Sequence, residues 1–159
     1  MATIKFSKAA LKNVNIEKTF EKVARIIINA MQRHIKNKTD VNGYPVKSNA
    51  KSTIKQKGFD HRMVNTGAFV RNAYVSEALP KYLIITLRNA PHPKGRGATY
   101  LQIGGWNQAG APQQAVKGAS DHFGMDKDTE YKVTKIIADA LITHIDKTMV
   151  YKTVIEEVV

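Results

Sequence analysis

The sequence predicts an α+β domain in which two long helices pack on a small antiparallel sheet, with a long loop between the sheet and the last helix. Three observations carry this. Apolar residues recur at three- and four-residue steps across 16–35 and again across 133–145, the pattern of helices with one buried face. Between them, two short runs rich in β-branched and aromatic residues flank Leu79-Pro80-Lys81, as in a hairpin. The region 89–118 then gathers glycine and proline, which interrupt both kinds of element.

A length of 159 residues with 43% hydrophobic content fits one domain with an ordinary core. The expected organisation is an N-terminal arm over 1–14, a single α+β domain over 15–149 and a C-terminal tail over 150–159. The absence of cysteine excludes disulfides, thiolate metal sites and cysteine nucleophiles. The opening residues are too broken by lysine to read as a signal peptide, and about 18 apolar residues never run together. A soluble protein with no membrane partner is therefore expected.

Taken in order, residues 1–14 alternate weakly around Lys5, Lys8 and Lys12 and suit an arm or edge strand that orders against a neighbour. Asn15 is a suitable cap for a first helix whose buried face holds Ile16, Phe20, Val23, Ile27, Ala30, Met31 and Ile35. That helix should end near Asn37, because Asp40-Val-Asn-Gly-Tyr-Pro45 concentrates turn-forming residues. Ser48 to Gly58 reads as a short helix with a lysine-rich face and a glycine stop. Ala73–Ala78 and Tyr82–Arg88 form the hairpin.

Within 89–118, Tyr100-Leu-Gln-Ile103 is the one strand candidate, and the remainder is read as loop. A loop of that length in a small domain is commonly functional. It is therefore the leading contact surface, with Arg96, Tyr100 and Trp106 as subunit or partner contacts. Trp106 is either an interface anchor or a side chain folded back onto the core. A second long helix spans 126–146, with Asp126, Asp128 and Glu130 where the helix dipole favours negative charge. The tail carries Val154, Ile155, Val158 and Val159, and is read as a strand added to this sheet or as an inter-subunit contact.

The net charge of +12 is unevenly placed. Residues 1–120 hold 20 Lys and Arg against 5 Asp and Glu, a net +15, whereas 121–159 hold 5 against 8, a net −3. Such a field suits nucleic acid, an acidic protein surface or the acidic end of another copy, beside the plainer reading of solvated surface lysines. Eight cations lie between Arg33 and Arg62, dense enough to meet several phosphates. Of these, Lys47, Lys51, Lys55 and Lys57 are the expected nucleic-acid-facing set. Only Tyr44 and Phe59 interleave with them, so stacking on unpaired bases is weakly provided for.

Chemistry finds few candidates. The histidines at 34, 61, 92, 122 and 144 do not pair at the spacing of a shared metal. His34 and His144 suit ordinary helix packing and receive no role. Ser120, Asp121 and His122 adjoin in one stretch, unlike triad members, which meet from separate elements. Gly95-Arg96-Gly97 and Gly104-Gly105 lack the strand-to-helix setting of a phosphate-binding loop. Asp121, Asp126 and Asp128 form the one dense acidic set, and helix capping accounts for it. No catalytic residue, metal or cofactor is expected, and the chain is read as non-catalytic.

The order of elements also carries a resemblance, on Asn42-Gly43-Tyr44, Ser52-Thr53 with Lys57, Met63-Val-Asn-Thr-Gly-Ala-Phe69, and Tyr100 with Gly104-Gly105. Across residues 16–146 the chain is similar to bacteriophage tail-completion and virion-morphogenesis proteins. The resemblance implies a ring-forming neck subunit, either head–tail joining or tail-terminating, commonly with six copies. The implied partners are other copies, adjoining connector and tail-tube or tail-terminator proteins, and genomic DNA passing through the ring. The implied location is the virion. The alternative reading is a basic DNA- or RNA-binding accessory protein.

Overall fold

The computed structural model describes residues 14–49, 51–60, 67–94, 96–109 and 123–156, and side chains there outside 106–109 and 146–156. In chain order the elements are α1 (Glu17–Asn37), α2 (Lys51–Lys57), α3 (Ala68–Asn72), β1 (Tyr74–Ala78), β2 (Leu83–Leu87), α4 (Tyr100–Ala109) and α5 (Lys127–Glu156). The expected α+β class, with two long helices and a two-stranded antiparallel sheet, is what the chain adopts. No helix among the described residues is long and apolar enough to cross a membrane.

The spine is α1, because its apolar stripe is long enough to meet both the hairpin and the last helix. Phe20, Val23, Ala24, Ala30, Met31 and Ile35 are buried along it. Ile16 occupies the cap position, and the Asn15 side chain accepts the Glu17 N–H at 3.1 Å. The helix ends where Lys38 turns left-handed at φ 57°. Asp40 then accepts the N–H groups of Asn42 and Tyr44, both at 2.9 Å, and Gly43 takes φ 83°. This is the Asx-type turn that the Asp-x-Asn-Gly sequence favours.

Gly67, at φ 71°, opens the short helix α3, which sequence reading passed over. This helix delivers Phe69, 1% exposed, to the centre of the core. Around it gather Met31, Ile35, Val70, Ala73, Tyr74 and Tyr100. In the hairpin, Tyr74 pairs with Leu87, Ser76 with Ile85 and Ala78 with Leu83. Period-two alternation leaves Leu83, Ile85 and Leu87 half-buried and Tyr82, Ile84 and Thr86 exposed.

A second cluster, formed by Val14, Ile16 and Phe20 with Ile137, Ala140 and Leu141, seats the middle of α5 on the start of α1. The start of α5 meets the end of α1 at His34 and Asp126. The two long helices are therefore antiparallel.

Two sequence expectations are corrected. Tyr100–Ile103 is the first turn of α4, not a strand. The Gln102 side chain accepts the Thr99 N–H at 2.9 Å and the Thr99 hydroxyl accepts the Gln102 N–H at 3.2 Å, the reciprocal capping box of a helix start. Thr99→Ala should therefore lower stability by about 1 kcal/mol, moving Tm down by about 2–4 °C in a calorimetric scan. The tail is the second case, since residues 150–156 continue α5 as helix rather than adding a strand. Its β-branched residues favour a strand, but no glycine or proline interrupts 127–156, so the helix ladder simply propagates.

Candidate functional site

The contact region expected after the hairpin is built on a tight reversal. Pro91 bridges Thr99, the His92 N–H reaches Ala98 O at 3.0 Å and the Tyr100 N–H reaches Ala90 O at 3.1 Å. Arg96 and Gly97 take the left-handed region at φ 50° and 89°. Arg96 is exposed on this loop, where a partner could reach it.

Tyr100 is not a contact residue. It is 4% exposed, its ring 5.8 Å from Phe69 and 5.1 Å from His92. As the first residue of α4 it lies on the side facing the core, so its aromatic surface is spent inside the domain. Burial of the neighbouring His92 lowers that imidazole's pKa. Trp106 lies on the backbone of α4, and its side chain is outside the described residues.

The position of α4 rests on Gly104. A Cβ built there would overlap Leu87 Cδ1 of β2 and stand 3.0 Å from Phe123 Cζ. Next to it, a Cβ at Gly105 meets nothing within 4 Å. One glycine is required by the approach of helix to strand, and its neighbour is not.

The expected nucleic-acid-facing lysines divide. Lys47, Lys51 and Lys55 are exposed, while Lys57 is half-buried with Nζ 5.9 Å from the Phe59 ring centre. Burial lowers the Lys57 pKa, against the opposing field of Asp60. Asp60 in turn accepts the Asn49 N–H at 2.8 Å. That bond, helped by Ser48, the Asn49 amide and the charge of Lys38, holds the carboxyl below its usual range. Lys57 thus serves the local packing of α2 more than its display.

Among the described residues, a polar site joins His34, which has no role in the sequence alone, to Asp126. His34, 7% exposed, places Nε2 2.9 Å from Asp126 Oδ2, and its Nδ1 lies 3.4 Å from Thr39 Oγ1. Arg33 Nη2 donates to the same Asp126 oxygen at 2.8 Å, and the Thr129 N–H donates to Asp126 Oδ1 at 2.7 Å. Partial burial opposes the charge of Asp126, but the Thr129 and Arg33 contacts outweigh it and hold the pKa at about 2. Asp126 was expected as a negative residue at a helix start. It is also the clamp that fixes the start of α5 to the end of α1. Its partnership with His34 crosses 92 residues, so no local motif could have signalled it. Among the described residues no three His, Asp or Glu side chains gather as metal ligands.

What remains open to partners is apolar as well as basic. Tyr82 is 57% and Ile84 43% exposed on the outer side of the sheet, and among the described residues neither β1 nor β2 pairs with a third strand. Compared with known proteins, the chain matches no family model, no curated protein and no solved structure.

Proposed function

We propose that this chain is a non-catalytic structural subunit of a tailed-phage particle, a ring-forming tail-completion or neck protein of the head–tail joining or tail-terminating kind. The observation that carries the reading is the two-stranded sheet, with Tyr82 and Ile84 exposed on its outer side and no third strand at either edge among the described residues. Small sheets of this kind invite augmentation from a neighbour. The resemblance adds support, since two of its motif residues hold structural posts: Gly67 takes the left-handed turn and Phe69 centres the core.

In this reading the partners are other copies in a closed ring, commonly six, together with connector and tail-tube or tail-terminator proteins. Genomic DNA is the cargo of the channel, and the location is the virion. The +15 body of one copy meets the −3 end of the next in a head-to-tail contact that closes by rotation. Light scattering across a salt series tests this. The expected result is an assembly that shrinks as salt screens the charge contact. A chain that stays monomeric at high concentration, or an assembly indifferent to salt, contradicts it. In a gel-shift series this reading expects no DNA affinity tighter than about 10⁻⁶ M at physiological salt, whereas a dedicated nucleic-acid-binding protein exceeds that.

A further inference from the structure

We propose that the outward face of α1 is a nucleic-acid surface that holds the phosphate backbone of a duplex without reading its sequence. Lys18, Lys22, Arg25, Asn29 and Lys36 are all exposed, and their spacing puts them in one row on the helix side away from the core. From Lys18 to Lys36 the row spans about 27 Å at 1.5 Å per residue, most of a turn of duplex. Its N-terminal half borders a shallow groove of about 300 Å³ whose lining also includes the half-buried Ile26 and one carboxylate, Glu21. Arg33 does not belong to the row's free charge, because it is spent on Asp126.

The row also has a continuation. The Val46 N–H donates to Lys38 O at 2.9 Å, so the chain carrying Lys47 lies beside the basic end of α1 and leads to the exposed Lys51 and Lys55. The row itself bears no aromatic side chain on which unpaired bases could stack, and no exposed large apolar residue to enter a lipid interface. A straight array of cations on a rigid helix suits evenly spaced duplex phosphates, and with no base contacts its grip is sequence-independent and salt-suppressed. This surface stands whether or not the chain forms a ring.

Fluorescence anisotropy of the full chain on a random-sequence duplex, from about 50 to 300 mM salt, tests it. Wild type should bind at the low end and weaken steeply. Lys18→Gln/Lys22→Gln/Arg25→Gln, three exposed changes to a good helix former, should reduce the slope of log K against log salt by about 3. A Lys51→Gln/Lys55→Gln chain serves as comparator and should reduce it by no more than about 2. Circular dichroism checks that each variant folds. The proposal fails if wild type does not bind at low salt, or if the folded triple variant keeps the wild-type slope. It also fails if polyglutamate competes as well as the duplex, which makes the partner an acidic protein. Light scattering on the same samples reads the assembly state, so a failure here is separable from failure of the ring.

Discussion

Asp126→Ala should cost about 2–3 kcal/mol of folding stability, the sum of a lost helix cap at about 1 kcal/mol and a buried His34 left without its acceptor. In Tm that is a fall of about 5–10 °C. The exposed Arg33 partner adds little, because surface ion pairs are worth about 0–1 kcal/mol. Asp126→Asn should cost less, since asparagine caps helices as well as aspartate does. The pH dependence follows from the same geometry. The carboxyl titrates at about 2 in the folded chain, against about 3.9 unfolded. Its contribution is therefore fully present above about pH 4 and is lost as pH falls towards 2. Chemical denaturation at a series of pH values should show wild type losing stability across that interval, with a shallower loss for Asp126→Ala. Equal acid profiles would contradict the clamp.

Gly104→Ala should destabilise by about 1–3 kcal/mol, the usual cost of forcing extra volume into a packed contact. The sign is the informative part. In a helix interior, glycine to alanine ordinarily gains about 1 kcal/mol, but the new methyl meets Leu87 and Phe123. Gly105→Ala, one residue on, has open space and should stabilise by about 0.4–1 kcal/mol. Opposite shifts in denaturation midpoint at adjacent glycines would establish how closely α4 approaches β2. Parallel stabilisation would mean that the helix stands further away.

The periodicity at 16–35 and 133–145 disclosed both long helices, because a helix buried on one side must repeat its apolar residues at the helical step. The hairpin was legible for a different reason, its β-branched and aromatic runs flanking Leu79-Pro80-Lys81; the inward facing of Leu83, Ile85 and Leu87 was not, because the exposed Tyr82 and Ile84 are apolar too. Tyr100–Ala109 was hidden by Gly104-Gly105, a pair that disfavours helix, although Gly104 is what lets this helix approach a strand. The decisive signal is the Thr99-to-Gln102 capping box, which overlaps Tyr100–Ile103, the four residues read as a strand. Tyr100 looked like a contact because it stands in a glycine-rich stretch, yet it faces the core, a matter of tertiary packing that spacing does not encode. The His34–Asp126 clamp was invisible for a stronger reason, since two elements at opposite ends of the domain create it. The exposed row on α1 is legible in principle, but its cations, Lys18, Lys22, Arg25 and Lys36, are sparser along the chain than the eight between Arg33 and Arg62, and only helical spacing aligns them.

Negative-stain imaging of the purified full chain, at low salt and high protein concentration, tests whether copies of this domain close into a ring, as proposed. Rings of a single size with a central opening are expected. Particles of monomer size alone, or open-ended filaments, would contradict the proposal.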